Sequence, residues 1–398
     1  MKLAIVTTYP PSESKLAEYG SQLVKHFRMQ PEVSEIILLT EKHKKQIIIS
    51  EQGCPITIQQ CWSFNGYSNI IKVTQKVLQF KPNAVFFNLE SLTFGNKKIP
   101  ATLGFMIPFF SRVTGIATIS LLHSLPNSIS DYKGFTLIEP KGKKYGRSLT
   151  KMVLASDLVA VTKERMVDLL KEKFDAANVA KVPFGTFDSM PEPDYRLAGD
   201  KKQVLTFGEF GSDRKLANLL EAVQRIRARR ENLDIEVIIA GTESVQNPGY
   251  IDSIQRKFKH MPDVHFVNVK NREELAAIIE PSALVVLPEM KDTENLKDIQ
   301  FAASHGKALV LPYFENLNRA IEEWGYRSEV YTHDCPESLS EAIESVLVFN
   351  SYRIHLGMAN YKAYVAHPIE NSIRLYIEYF KAIKQSKSNQ KNLEKTGY

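Results

Sequence analysis

The sequence predicts an α/β protein made of two Rossmann-like domains, each with a parallel sheet covered by helices. The first reason is that short β-branched runs alternate with helical patterns, as in LAIVTT (3–8), EYGSQLVKHF (18–27) and SEIILLT (34–40). The second is that this alternation stops near residue 184 and starts again near residue 203. The third is the length of 398 residues, which is ample for two cores.

The first domain is expected to span residues 1–184. Further strands are predicted at AVFFNL (84–89), TISLLH (118–123), LVAVT (158–162) and AKVPF (180–184). The run ERMVDLLKEKF between the last two has the period of an amphipathic helix. Residues 185–202 contain Gly and Pro and have no helical or strand period, so we expect a linker there.

The second domain is expected to span residues 203–368. Its predicted strands are VLTFGEF (204–210), IEVIIAG (235–241), VHFVNV (264–269), ALVVLP (283–288) and KALVLP (307–312). Residues 369–385 are amphipathic and predict a helix. Residues 386–398 form a polar tail that we expect to be disordered.

Composition narrows the functional classes. Hydrophobic residues make up 43% and charged residues 24%, which is typical of a globular chain, and no apolar run is long enough to span a bilayer. The first residues lack a signal-peptide core, so a cytoplasmic location is expected. The net charge of +6 comes with basic clusters separated by acidic residues, which does not favour nucleic-acid binding. These clusters fit either anionic partners or a solvated face.

Several familiar catalytic motifs are missing from the turns after the strands. GKKYGRS (142–148) has the wrong glycine spacing for a phosphate loop, and the Gly-x-Ser-x-Gly nucleophile turn is absent. No strand ends in an Asp-x-Asp pair, and the three cysteines lack the spacing of metal ligands. We therefore expect metal-free chemistry without a cofactor.

Five segments occur in an order that resembles a known family. They are YPPSESKLAEY, HSLP, FGEFGSDRKLANLLEA, IIAG and AASHGKALVLP. Together they resemble the family 4 glycosyltransferases (group 1 glycosyl transferases) of the GT-B fold, over about residues 1 to 385. The resemblance implies two domains with sheets facing across a cleft, the first binding the acceptor and the second a nucleotide sugar. It also implies that the helix at 369–385 crosses back to the first domain.

The implied reaction is transfer of a hexose from a nucleotide diphosphate sugar to a saccharide or lipid-linked saccharide, in polysaccharide or glycolipid synthesis. The resemblance implies retention of configuration, with the leaving diphosphate acting as the base. Its negative charge requires cations or helix N-termini aimed at it. Arg214 and Lys215 follow a strand and open a helix, so they are the expected cations, and Lys215 matches the family's diphosphate lysine.

His123 is the third expected catalytic residue. It ends the apolar strand ATISLLH and matches the family histidine that contacts the donor sugar. A neutral imidazole there could donate a hydrogen bond to a sugar hydroxyl. The alternative is a histidine that only completes the end of a buried strand.

The donor-binding motif departs from the family. We expect donor contacts at Glu209, Gly241, Glu294, Asn295 and Lys297, with Glu294 and Asn295 lining the pocket through a local shift from the family's glutamate position. The family's two glutamates fall at Thr293 and Phe301, neither of which is acidic. This departure favours an alternative hypothesis, a GT-B scaffold without catalysis that serves as the partner of an active transferase. An epimerase of the same fold ranks third, because we find no carboxylate triad for it.

Two segments of the first domain complete the prediction. In the loop of Ser12, Ser14 and Lys15, lysine replaces the family glycine, and we expect either contact with an acceptor or phosphate, or a polar surface turn. NKKIPATLGFMIPFFSR (96–112) has an apolar centre with basic flanks. It fits either peripheral contact with a membrane surface or an ordinary buried crossover helix. The oligomeric state is left open.

Overall fold

The computed structural model describes residues 1–12, 14–49, 52–125, 141–187, 191–197, 199–244, 246–269, 271–288 and 296–396. The chain divides into two compact units. The first unit combines Met1–Phe187 with Ile369–Tyr398, and the second is Asp188–Pro368.

In the described residues, the first unit has a seven-stranded sheet whose pairs are all parallel. Its strands are β1 (Lys2–Val6), β2 (Glu35–Glu41), β3 (Ile56–Trp62), β4 (Ala84–Leu89), β5 (Ala117–Leu122), β6 (Leu158–Val161) and β7 (Val179–Lys181). Their order across the sheet is β3-β2-β1-β4-β5-β6-β7. β1, β4 and β5 are buried almost throughout, as expected of central strands covered on both faces.

Helices cover both faces of this sheet. They are α1 (Lys15–Arg28), α2 (Asn69–Phe80), α3 (Lys98–Phe105), α4 (Ile107–Val113), α5 (Lys141–Val153), α6 (Glu164–Phe174) and α14 (Ile369–Thr396). One core includes apolar residues of α2, α5 and α6, and the other those of α1 and α14. Since both faces are buried, side-chain chemistry is left to the strand ends.

The last helix corrects the prediction of a disordered tail. Ile369, Ile373, Tyr376 and Phe380 of α14 are fully buried in the core that also contains Leu3. The helix does not stop near residue 385 but continues to Thr396. The segment SKSNQKNLEK contains neither Gly nor Pro and many straight-chain residues, which allow a helix once its start is anchored by packing.

Contacts of Lys387 show that the extension of α14 is attached to the first unit. Its Nζ lies 2.6 Å from Asp157 Oδ2 and donates to the carbonyl of Ile116 at 2.8 Å. Polarity alone is therefore a poor criterion for disorder at this end of the chain.

The second unit has a six-stranded parallel sheet in the described residues. Its strands are β8 (Lys202–Phe210), β9 (Ile235–Glu243), β10 (Val264–Val267), β11 (Leu284–Val286), β12 (Ala308–Pro312) and β13 (Ser328–Tyr331), in the order β10-β9-β8-β11-β12-β13. Its helices are α7 (Leu216–Arg229), α8 (Tyr250–Lys257), α9 (Arg272–Ile279), α10 (Lys297–Ser304), α11 (Glu315–Glu323), α12 (Pro336–Val348) and α13 (Asn350–Val365). The α/β prediction with parallel sheets is confirmed.

Two edge strands were absent from the sequence prediction. ITIQQCW forms β3 and SEVY forms β13, each with a single neighbour in its sheet. Both carry polar residues because one edge of the strand has no partner, and this weakens the apolar signal. β8 begins at Lys202, the last residue of the predicted linker. None of the described helices is long and apolar enough to cross a membrane.

Both sheets reverse their strand order at one point. In the first unit the reversal lies between β1 and β4, and in the second between β8 and β11. In open α/β sheets, ligands bind beyond the carboxyl ends of the strands at this point. Thr7, Asn88 and His123 lie at that edge of the first sheet, whereas Gly208 and Gly241 lie at that edge of the second.

At the amino end of β12, on the opposite edge, Lys307 is buried. Only 6% of the residue is exposed, and Nζ donates to the carbonyl of Glu280 at 2.7 Å. Burial, followed by the positive charge of Arg353, lowers the pKa of Lys307 to about 8 from an ordinary 10.5. Between these values the unfolded chain holds a proton that the folded chain has released. Stability should therefore rise with pH in that window.

We expect the free energy of unfolding of the wild type, relative to Lys307→Met, to increase by roughly 3 kcal/mol between pH 7.5 and 10.5. Below pH 8 both states carry the charge, so the penalty for burying it is fully present there. Urea denaturation at a series of pH values measures the difference. Lys257→Met, at an exposed lysine, serves as the control and should show no such trend. A pH-independent difference for Lys307→Met would contradict the argument.

Candidate functional site

In the first unit, a chain of hydrogen bonds crosses three neighbouring strand ends. Thr7 follows β1, Asn88 lies near the end of β4, and His123 follows β5. The Thr7 hydroxyl donates to the carbonyl of Thr8 at 2.8 Å, and Asn88 Nδ2 donates to Thr7 Oγ1 at 2.9 Å. Asn88 Oδ1 lies 2.6 Å from His123 Nε2. His123 is half-buried, whereas Thr7 and Asn88 are fully buried.

Two aromatic rings hold the imidazole of His123 from the sides. Tyr19 meets it edge-on at 4.8 Å between ring centroids, and Phe184 does so at 5.7 Å. The Tyr19 hydroxyl donates to the carbonyl of Phe184 at 2.9 Å, and burial raises its pKa far above the ordinary value. The hydroxyl of Tyr19 therefore stays protonated, and its ring packs against the imidazole of His123. His123 directly follows β5 and its Nε2 is engaged by Asn88, while its catalytic role stays a prediction.

The loop before α1 is described in part. Ser14 is the N-cap of α1, and its hydroxyl accepts from the amide of Leu16 at 3.3 Å. Ser12 Oγ accepts from the amide of Ser14 at 3.4 Å. Lys15 is the first residue of the helix, and its side chain lies outside the described part of the structure. Capping alone accounts for Ser14, so its contact with a phosphate or acceptor stays a prediction.

In the second unit, two glycines lie side by side at the carboxyl ends of β8 and β9. Gly208 and Gly241 are register partners, and a Cβ on Gly241 would lie 1.9 Å from the carbonyl oxygen of Gly208. A Cβ on Gly208 would lie 2.1 Å from a guanidinium nitrogen of Arg214. Glycine is required at both positions by close approach. The site is therefore shaped to admit Arg214 beneath the strand ends.

Arg214 forms a buried ion pair and is not a solvent-exposed cation. Its side chain is 9% exposed, donates to the carbonyl of Phe207 at 2.5 Å, and forms a salt bridge with Asp298 in the first turn of α10. The sequence suggested a cation facing a leaving diphosphate at a helix start. The structure instead surrounds this guanidinium with protein acceptors, because Gly208 leaves room for it under the strand.

Lys215 is exposed and paired. It occupies the N-cap position of α7, where its Nζ lies 2.8 Å from both carboxylate oxygens of Asp334. Asn218 also donates to Asp334, and the hydrogen bonds from Lys215 and Asn218 lower the pKa of that carboxyl. The hydroxyl of Tyr250 accepts from the amide of Leu216 at 3.0 Å, so part of the helix start is already satisfied.

The remaining residues predicted to bind the donor differ in their surroundings. Glu209 is exposed at the end of β8, and Lys297 is the first residue of α10. Thr293, Glu294 and Asn295 lie outside the described residues, so their predicted roles stay predictions.

Phe301 is a packing residue. Its ring lies 5.7 Å from the ring of Phe207 and 4.7 Å from that of His305, with the guanidinium of Arg272 at 5.9 Å. Its ring offers no oxygen to a ribose hydroxyl, and its carbonyl accepts from the hydroxyl of Ser304 at 2.8 Å. No group of three His, Cys, Asp or Glu in the described residues is arranged to hold a metal ion.

Four residues of these sites were missed by sequence reasoning. Thr7 and Asn88 are the polar members of otherwise apolar strand segments, LAIVTT and AVFFNL, and that interruption was a usable signal. Asp298 and Asp334 lie 84 and 119 residues from their partners, and no local pattern connects them.

The sequence matches no protein-family profile and no curated protein significantly. The structure, in contrast, is similar to solved structures over almost the whole chain. A sucrose-phosphate synthase from Thermosynechococcus elongatus is 14% identical, with a TM-score of 0.66, and covers 96% of this chain and 100% of its own. A glycosyltransferase from Rickettsia africae is 11% identical, with a TM-score of 0.67, and the match covers 96% of this chain and 98% of the neighbour. Anabaena HepE, solved with UDP and glucose, is 11% identical, with a TM-score of 0.63, and the match covers 96% of this chain and 100% of the neighbour. The chain therefore has the GT-B fold, which confirms the predicted fold class.

Stability should separate the two cations of the second unit. Arg214→Gln removes a buried guanidinium and leaves Asp298, whose side chain is 25% exposed, without its partner, and we expect a loss of about 2 kcal/mol. Lys215→Gln breaks an exposed pair and should cost less than about 1 kcal/mol. Urea denaturation of both variants at neutral pH checks this. Equal losses would mean that Arg214 is not the buried structural cation described above.

Proposed function

We propose that this protein is a glycosyltransferase that moves a hexose from a nucleotide diphosphate sugar to a saccharide or lipid-linked saccharide. The observation that carries the proposal is the GT-B fold over 96% of the chain, shared with a protein solved with UDP and glucose. Retention of configuration, independence of metal and the absence of a cofactor are parts of the proposal that rest on the resemblance described above.

In the first unit, His123 supports this function. It is half-buried at a strand end, and both its orientation and one ring nitrogen are fixed by neighbours. A group positioned in this way loses little freedom when it binds a sugar hydroxyl. Its role in the reaction is to orient the ligand, since the leaving diphosphate itself supplies the base.

In the second unit, Lys215 is the cation best suited to a diphosphate. Its partner Asp334 is exposed, so exchanging that carboxylate for a phosphate oxygen loses little energy. Lys215 also stands at the N-terminus of α7, where the helix dipole favours an anion. Charge that develops on the leaving group would therefore be stabilised by both the ammonium group and the helix end.

A second candidate function is a GT-B scaffold that partners an active transferase. The observation that favours it is the state of the donor motif in the second unit. The charge of Arg214 is neutralised by Asp298. Phe301 packs against aromatic rings at a position where the family has a glutamate. A site that lacks hydrogen-bond acceptors for sugar and ribose hydroxyls binds its donor weakly.

We also propose that the first unit contacts an anionic membrane surface. Between Gln52 and Leu125 the sequence has six Lys or Arg residues and one acidic residue, Glu90. Helix α2 packs against α3 and α4, and large apolar side chains of this region are exposed. They are Phe64, Tyr67, Ile71, Leu78, Ile99, Phe109, Phe110 and Val113. An apolar surface with basic and almost no acidic residues matches anionic headgroups over hydrocarbon.

The expected location stays cytoplasmic and peripheral. This surface favours a lipid-linked acceptor, because a lipid-linked saccharide would be presented at the membrane that the surface contacts.

A turnover experiment tests the enzyme hypothesis. A thermal-shift screen against nucleotide sugars and free nucleotides first identifies the donor, since a ligand of the folded state raises the melting temperature. With that donor, Lys215→Ala should lower kcat/KM about a hundredfold, the effect of losing one good donor to a developing oxyanion. The measurement is release of the nucleoside diphosphate.

Lys257→Ala is the matched control, because Lys257 is also an exposed lysine of the second unit paired with one carboxylate. It should retain wild-type turnover. Normal turnover in Lys215→Ala would remove that residue from the site. If the wild-type chain neither binds any nucleotide sugar at millimolar concentration by calorimetry nor releases nucleotide, the scaffold hypothesis replaces the enzyme hypothesis.

Vesicle sedimentation tests the membrane contact. We expect the protein to bind phosphatidylcholine vesicles that contain phosphatidylglycerol, and to be released as salt screens the charges. The double variant Ile99→Ser, Val113→Ser should lose most of this binding. The control Val348→Ser, Phe349→Ser removes exposed apolar groups from the second unit and should bind normally. Equal binding by all three proteins would argue against the proposed surface.

A further inference from the structure

The hydrogen bonds among Thr7, Asn88 and His123 have one consistent set of directions. The carbonyl of Thr8 can only accept, so the Thr7 hydroxyl, 2.8 Å away, must donate its single proton there. Thr7 Oγ1 is then an acceptor, and the end of the Asn88 side chain that faces it at 2.9 Å must be the amide nitrogen. This fixes the orientation of the amide group, which heavy-atom positions alone leave open.

The orientation of Asn88 determines the protonation of His123. Asn88 Oδ1 points at His123 Nε2 at 2.6 Å, and an amide oxygen can only accept. His123 Nε2 must therefore carry a proton. We propose that Asn88, oriented by Thr7, is a positioning residue that holds the neutral form of His123 as the Nε2–H tautomer.

The surroundings of the chain support this assignment. Thr7 and Asn88 are fully buried, so water cannot substitute for either partner. Gly20 of α1 brings the helix against this pair, since a Cβ there would lie 2.4 Å from the carbonyl oxygen of Thr8 and 2.5 Å from Thr7 Oγ1. Tyr19, the preceding residue, sets the plane of the imidazole. One helix thus packs against both ends of the hydrogen-bond chain.

The chemical consequence rests on the proposed glycosyltransferase function. We expected from the sequence that His123 could donate to a sugar hydroxyl. Its Nε2 proton is instead committed to Asn88, so that nitrogen does not donate to a sugar hydroxyl. The hydrogen bond with Asn88 thus fixes the ring orientation of His123 before a ligand binds.

Nitrogen-15 NMR of the full chain labelled at histidine tests the tautomer without any substrate. The ring resonances of His123 are identified by their loss in His123→Gln. We expect the wild type to show a protonated Nε2 and an unprotonated Nδ1. In Thr7→Val the amide of Asn88 loses the acceptor that orients it, and the ratio of the Nε2–H to the Nδ1–H tautomer should fall about tenfold, as expected for one neutral hydrogen bond.

Three variants complete the design. Thr40→Val removes a buried hydroxyl from β2 of the same sheet that makes no hydrogen bond within the described part of the chain, and it should leave His123 unchanged. Asn88→Asp keeps an acceptor opposite Nε2 and should preserve the Nε2 proton, unlike Asn88→Leu. Should Thr7→Val fail to fold, the wild-type spectrum and Asn88→Asp still decide the assignment.

A wild-type His123 protonated at Nδ1, or a tautomer ratio unchanged in both Thr7→Val and Asn88→Leu, would overturn the proposal. The NMR result stands whether or not the chain proves to be a transferase. If donor turnover is found, Thr7→Val should in addition lower kcat/KM, although Thr7 is buried beneath the site. Thr40→Val should not lower it.

Discussion

Backbone hydrogen bonding between buried parallel strands is the constraint on which the rest of this structure depends. Central strands such as β1, β4 and β5 are covered on both faces, so their side chains are apolar and their amides are satisfied by neighbouring strands. Polar side chains are tolerated where a strand ends and its backbone is no longer paired with neighbouring strands. The parallel arrangement brings those ends to a common edge, and the reversal of strand order opens a space there. Both candidate sites are results of this one arrangement.

The two edges use that space with different electrostatics. At the first, Thr7, Asn88 and His123 form a chain of hydrogen bonds, in which Thr7 and Asn88 are fully buried. At the second, Arg214 and Lys215 are charged, and carboxylates from distant parts of the unit neutralise them. The hydrogen bonds at the first edge orient a side chain, whereas the charged residues at the second edge attract or repel an ion.

The sequence predicted most of this fold because periodicity is a local property. Buried strands such as AVFFNL and amphipathic helices such as ERMVDLLKEKF carry their pattern within a few residues, whereas the edge strands β3 and β13 do not. The site was less predictable. His123 was singled out because it ends an apolar strand and matches a family histidine, and its role stays a prediction. Asp298 and Asp334 could not be found, because their pairing depends on tertiary structure that joins residues far apart in sequence.

These internal carboxylates bear directly on how a diphosphate could bind to the second unit. Removing Asp298 from Arg214 would leave a buried charge unpaired, a cost of several kcal/mol, so that pair stays closed and places a negative charge at the start of α10. Asp334 is exposed and holds Lys215 only weakly, and a doubly charged phosphate competes with it at little cost. On the proposed function, Lys215 is therefore the cation that a diphosphate can recruit, whereas Arg214 stays paired with Asp298. A donor bound in this way relies on one ammonium group and a helix end, because the charge of Arg214 is already neutralised within the unit. Weak donor affinity is then expected even of a competent transferase.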